Sequence, residues 1–158
     1  MSPVRLDNVD RGILHALQND ARNSTAAEMG EEVDVSASTV RNRIQRLEDA
    51  GIIEGYHPDI NYEKANYQLH VLIVCRAPPS NRSRLADQVM GITGVVTVRE
   101  LLTGTENLHV EAIAVNSDTV DSITEQIDEL GMDIVSTDII KVERTQPFNH
   151  FGQEVVEE

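Results

Sequence analysis

The chain has 158 residues, with 27 acidic side chains against 13 basic ones and a formal charge of −14. That length suits one medium domain or two small ones, and no apolar run is long enough to span a bilayer. Cys75 is the single cysteine, which excludes an intrachain disulfide and a cysteine-built metal cage; its neighbours Leu72, Ile73 and Val74 mark it as a buried structural thiol.

Residues 1–11 carry no apolar signal segment, so a cytoplasmic location is expected. Such acidity opposes approach to phosphates in dilute buffer. Yet only Lys64 and Lys141 are lysines, and the other eleven basic residues are arginines. An acidic, lysine-poor chain resembles the proteins of salt-accumulating halophiles. At molar salt the Debye length is roughly 3 Å, so only charges in near contact with a phosphate count. The acidity then argues neither for nor against nucleic-acid binding.

In chain order, Asp7 is placed to cap a first helix, with Asp10 in its favourable first turn and Val9, Ile13, Leu14 and Leu17 at helical spacing. Thr25 and Glu28 form a capping-box pair that opens a second helix reaching about Val33. Ser36 caps a third, whose apolar stripe is Val40, Ile44 and Leu47, and Gly51 stands where a left-handed stop is expected. Residues 52–56 read as a short extended wing. Residues 57–68 are polar and aperiodic, hence a linker. Beyond them Leu69–Arg76 reads as a strand apolar on both faces, and Leu85, Ala86, Val89 and Met90 as a helix. Strands follow over 95–102 and 108–115, joined by a hairpin-like loop. A helix through Val120, Ile123, Ile127 and Leu130 and a strand over 134–142 complete the order βαββαβ. The fold class is therefore α+β: a helix-turn-helix, winged if 52–56 pairs, over 1–56, then a ferredoxin-like domain over 69–144. Residues 145–158 lack a period and are expected to be a mobile tail.

The third helix carries the chemistry. With its apolar stripe inward, Ser38, Asn42 and Gln45 face outward, flanked by Thr39, Arg41 and Arg46. Asn and Gln suit bidentate pairing with adenine, Arg suits guanine or phosphate, and the hydroxyls of Ser36, Ser38 and Thr39 suit phosphate oxygens. Arg43 lies nearer the buried stripe, as apt to brace the domain as to touch DNA. A merely solvated polar face is the bland alternative. The capped helix before it, the two-residue turn and the clustered arginines favour recognition of double-stranded DNA.

The pattern Leu6-Asp7, Asp10, Ile13-Leu14, Leu17, Asp20-Ala21-Arg22, Ser36, Ser38-Thr39-Val40, Arg43-Ile44, Leu47-Glu48 and Gly51-Ile52-Ile53 resembles the N-terminal half of Lrp/AsnC regulators. The βαββαβ half resembles that family's effector domain, so the likeness covers nearly the whole chain. The resemblance implies a homodimer formed through the α+β domain, higher assemblies such as octamers, and binding of an amino acid or related small effector. Two departures stand out. Met29-Gly30 replaces the usual Leu-Ala, and in the loop usually read Thr-Gly-x-Tyr-Asp, Thr103 and Gly104 fit while Glu106 and Asn107 take the last two places. The resemblance puts the effector at Thr103, Gly104, Thr105, Glu106 and Asn107, with Ser136, Thr137 and Asp138 of the last strand as weaker candidates. An ordinary exposed hairpin accounts for the loop equally well.

No cofactor or metal is expected: the histidines share no ligand spacing with Cys75 or a carboxylate cluster, and P-loop, GxSxG and GxGxxG motifs are absent. His70 and His109 read as cross-strand structural residues. Two other functions stay open: a siroheme-decarboxylase-like enzyme on the same pair of folds, and an architectural DNA-binding protein that needs no effector.

Overall fold

Asp7, Thr25 and Ser36 each stand in extended backbone just before a helix, and each side-chain oxygen accepts the N–H three residues on. In the computed structural model, which describes residues 4–152, these caps open α1 (Asn8–Asp20), α2 (Ala26–Val33) and α3 (Ala37–Asp49). They are followed by β1 (Leu69–Arg76), α4 (Arg82–Met90), β2 (Val95–Glu100), β3 (Leu108–Ala114), α5 (Ser117–Glu129), β4 (Asp133–Ile139) and α6 (Asn149–Gly152). Each cap satisfies a helix N–H that would otherwise lack a partner, worth about 1 kcal/mol. Two units result: residues up to 58 together with those from 144 onward, and residues 59–143.

In the first unit Ile13, Met29 and Val40 form the buried centre, with Val9, Leu17, Val33 and Ile44 packed around it. Between α2 and α3 the chain reverses through Asp34 in the left-handed region (φ 59°), and the Val35 N–H reaches the Gly30 carbonyl at 2.9 Å. A Cβ at Gly30 would lie 2.5 Å from the Val35 oxygen, so glycine lets this turn close. Gly51 (φ 71°) ends the run after α3, as expected. The wing does not form: among the described residues no strand covers 52–56. The Ile52 and Ile53 N–H groups are instead spent on the Leu47 carbonyl, closing the helix end. Within the expected tail, residues 145–148 lead into α6, which packs on α1, and the Phe148 N–H donates to the Gln18 side chain. Phe148 and Phe151 stack edge to face, 5.0 Å between centroids. Residues 153–158 lie outside the described residues.

In the second unit a four-stranded antiparallel sheet has the order β2-β3-β1-β4, as the βαββαβ sequence requires. Ile73 stands opposite Val110 and Thr137. Period two then puts Val71, Ile73 and Cys75 with Val110 and Ala112 against Leu85, Val89, Ile123 and Ile127 of the two helices. His70, Leu72 and Val74 consequently lie on the other face. Burial pushes the Cys75 thiol up to about 11, an inert group. Residues 134–142 were expected as the last strand, but β4 stops at Ile139, and its ladder ends with the Ile140 N–H on the His70 carbonyl. Part of the expected linker is a folded turn, closed by the Tyr67 N–H on the Tyr62 carbonyl at 2.8 Å.

Candidate nucleic-acid interface and effector pocket

On α3 the apolar stripe goes inward as its spacing predicts: Val40 and Leu47 are fully buried, while Ser38, Arg41, Asn42 and Gln45 are exposed. Ser36, Ser38 and Thr39 knit the helix start together, with Ser36 Oγ 2.9 Å from Thr39 Oγ1 and 3.3 Å from Ser38 Oγ. Gln45 donates to Asp49 one turn on, an exposed bond that water or a base edge can replace. Arg41 and Asn42 make no intramolecular polar contact among the described residues and project into solvent.

Arg43 and Arg46 are held differently. Arg43 Nη1 lies 2.7 Å from Asp7 Oδ2 and 3.1 Å from Asp10 Oδ1, and Arg46 Nη2 lies 2.7 Å from Asp10 Oδ2. The Asp10 side chain is fully buried, whereas those of Arg43 and Arg46 remain 27% and 46% exposed. Asp7 and Asp10 also cap each other's backbone N–H reciprocally. The result is a closed brace between the start of α1 and the middle of α3. The Asp10 N–H chiefly lowers the Asp7 carboxyl from 3.8 to about 2; burial opposes the shift, and Arg43 adds to it. Hydrogen bonds to Asp7 and then Asp10 raise the Arg43 guanidinium further. Of the side chains assigned to DNA by sequence, the structure therefore ties these two to carboxylates. Sequence reasoning missed Asp10, yet a signal was present. It stands three and four residues before Ile13 and Leu14, on the buried stripe, where a carboxylate requires a cation.

The β2–β3 loop lines a cavity of about 360 Å³ together with Arg76, the Ala77–Pro79 turn, Gly131 and Asp133, a volume within the range of small-ligand sites. Gly104 (φ 89°) and Thr105 border it directly. Asn107 is buried and both its amide atoms are engaged: its Oδ1 accepts the Ala77 N–H at 2.9 Å and its Nδ2 donates to the Ala77 carbonyl at 2.8 Å. It shapes the wall, with each amide atom already holding the Ala77 backbone. Glu106 lies 4.0 Å from Arg76, both about half exposed. Ser136 and Asp138 bond each other on β4 and, with Thr137, do not line this cavity. A larger groove, about 460 Å³, runs between Gln18 and residues 146–149 and is lined by no charged side chain.

Among the described residues no helix is long and apolar enough to cross a membrane. Residues 6–48 match the AsnC-type helix-turn-helix domain. The regulator PH1916 of Pyrococcus horikoshii, named as an uncharacterized HTH-type transcriptional regulator, is 34% identical over 131 residues, covering 81% of this chain and 85% of that one. The chain belongs to the Lrp/AsnC family of transcriptional regulators. A second such relative, PF1734 of Pyrococcus furiosus, named as an uncharacterized HTH-type transcriptional regulator, is 39% identical over 74 residues, 47% of this chain and about half, 49%, of its own length. In fold the chain is similar to the transcriptional regulator NMB0573 of Neisseria meningitidis, solved as an L-Met complex. The TM-score is 0.73 at 23% identity, over 92% of this chain and 99% of that one.

Proposed function

We propose that this regulator reads specific sequences in the major groove with the outward face of α3, and that an amino acid or close relative modulates it from the β2–β3 cavity. The observation that carries the first half is the division of α3 into a braced side and a free side. Arg43 and Arg46 are anchored to α1, and Arg41 and Asn42 are left exposed together. An asparagine held on a rigid helix is suited to adenine N6 and N7, and a neighbouring arginine to guanine or phosphate. The effector half rests on charge. On the cavity wall Arg76 offers a cation for a carboxylate and Asp133 an anion for an ammonium, while Glu106 lies outside the wall beside Arg76. The Neisseria protein of like fold is described with L-Met. Subunits pair, on this reading, through the sheet face opposite α4 and α5, where Leu72 lies half buried, and a dimer presents two α3 helices to a palindromic site.

Footprinting across a genome, with and without single amino acids, tests the whole reading. Defined, palindromic protected sites whose occupancy shifts with one amino acid are the expected result. Within such a site, Asn42→Ala is expected to blur preference at one base by about 1–3 kcal/mol. A folded Arg41→Ala, Asn42→Ala double variant with unchanged affinity and preference would overturn the assignment of α3.

A further inference from the structure

Three arginines stand on α3, and two of them, though partly exposed, end on carboxylates of the same chain. Every oxygen of those carboxylates is engaged. Asp10 Oδ1 takes Arg43, Asp10 Oδ2 takes Arg46 and the Asp7 N–H, Asp7 Oδ2 takes Arg43, and Asp7 Oδ1 takes the Asp10 N–H. Drawing either guanidinium away to a DNA phosphate would strip a partner from the buried Asp10, a charge that water does not reach. We propose that Asp7 and Asp10 act as positioning residues that withhold Arg43 and Arg46 from DNA phosphates, so that sequence-independent binding stays weak and the base-reading side chains set affinity.

The physical consequence is countable. Each phosphate neutralised by a cationic side chain contributes roughly −0.9 to the slope of log affinity against log salt on duplex DNA, and this term supplies nearly all non-specific binding. With the brace closed, Arg41 is the one α3 arginine left to contribute. Opening the brace adds up to two more without adding any contact to a base edge, so binding gains strength and loses discrimination.

This inference rests on α3 being the DNA-contacting helix, and the experiment separates the two. The full chain is titrated with a short mixed-sequence DNA duplex across a range of KCl, with helicity followed in the same buffers. Asp10→Asn, close in shape but uncharged, is expected to bind the mixed-sequence duplex more tightly and to steepen the salt slope by about 0.9 to 1.8 for each α3 helix seated on the duplex. Adding Arg43→Gln and Arg46→Gln to Asp10→Asn should return the slope to its original value, because the released arginines are its cause. Glu48→Gln, which removes a surface charge of α3 without freeing an arginine, should leave the slope alone. A folded Asp10→Asn with the original slope, or an increment that survives loss of both arginines, overturns the proposal. Should Asp10→Asn fail to fold, two exposed substitutions decide it. Asp7→Asn keeps the cap and loosens Arg43, so a steeper slope supports the proposal and an unchanged one overturns it. Arg46→Gln alone should leave the slope intact while Arg41→Ala lowers it by about 0.9 for each α3 helix on the duplex, and equal losses from the two overturn it. If α3 does not touch DNA at all, Arg41→Ala also changes nothing, which is a failure of the underlying assignment and is distinct from the others.

Discussion

The two units each bury one carboxylate against arginine, and they do so in different surroundings. In the helical unit Asp10 is fully buried and answered by two guanidiniums that never discharge in proteins, beside a core cluster of three buried apolar residues, Ile13, Met29 and Val40. In the sheet unit Glu111 is answered by Arg99 and, at 3.1 Å, by His70, a partner charged only when protonated. There, fourteen buried residues form the core on the opposite face of the sheet. Burial alone would raise the Glu111 carboxyl, but the hydrogen bonds from Arg99 and His70 outweigh it and hold it below the ordinary value. The contrast teaches where each unit's integrity lies. A small helical unit depends on its caps and brace, so charge removal there should be felt by the whole unit. The sheet depends on area, so its polar contacts should shape locally.

The largest effect expected from this contrast comes from opening the brace on its cationic side. Arg43→Met with Arg46→Met leaves Asp10 buried and unpaired, and should cost the helical unit about 3–5 kcal/mol in denaturant titrations. The equivalent loss in the sheet unit, Arg99→Met, leaves Glu111 with His70 and should cost less. An equal or larger cost there would break the comparison. Next in size, Asn107→Ala strands the buried N–H and carbonyl of Ala77 and should cost about 1–3 kcal/mol. It should also deform the cavity, read as weakened amino-acid binding by calorimetry. Unchanged stability would remove Asn107 from its place as the wall of that cavity.

A smaller effect is expected with pH. The Asp7 carboxyl is depressed, from 3.8 unfolded to about 2 folded, so its contribution is fully present above pH 3.8 and is lost as pH falls through about 2. Urea titrations of the chain and of Asp7→Asn should therefore converge across that window, and a constant difference between them would contradict the brace as drawn. Smallest of all is the response of DNA binding to salt. Six arginines and ten acidic residues precede residue 57, and two of those arginines are committed to Asp7 and Asp10. Few phosphates are then neutralised, while screening of the acidic surface favours binding. Affinity for an operator should change little between about 0.5 and 2 M KCl, where a basic regulator would lose orders of magnitude. A steep loss with the fold intact would show that the acidic surface has no such effect.

What could be read from sequence alone was whatever closes within a few residues. Asp7, Thr25 and Ser36 each bond an N–H three positions on, Gly51 adopts the left-handed turn that a side chain resists, and period two or 3.6 separates inward from outward side chains. These local terms determined the first three helices, the order of the strands and the exposed face of α3. The tertiary structure decided which polar groups are free. Arg46 meets Asp10 across 36 positions and Asn107 meets Ala77 across 30, so residues read as DNA and effector contacts are occupied within the chain. The proposed wing vanished because its N–H groups went to the Leu47 carbonyl, and α6 found α1 from more than a hundred residues away. Hydrophobic periodicity reports which side of an element is buried. Which distant charge arrives to satisfy a buried carboxylate depends on how the elements pack, and spacing along the chain carries no record of that.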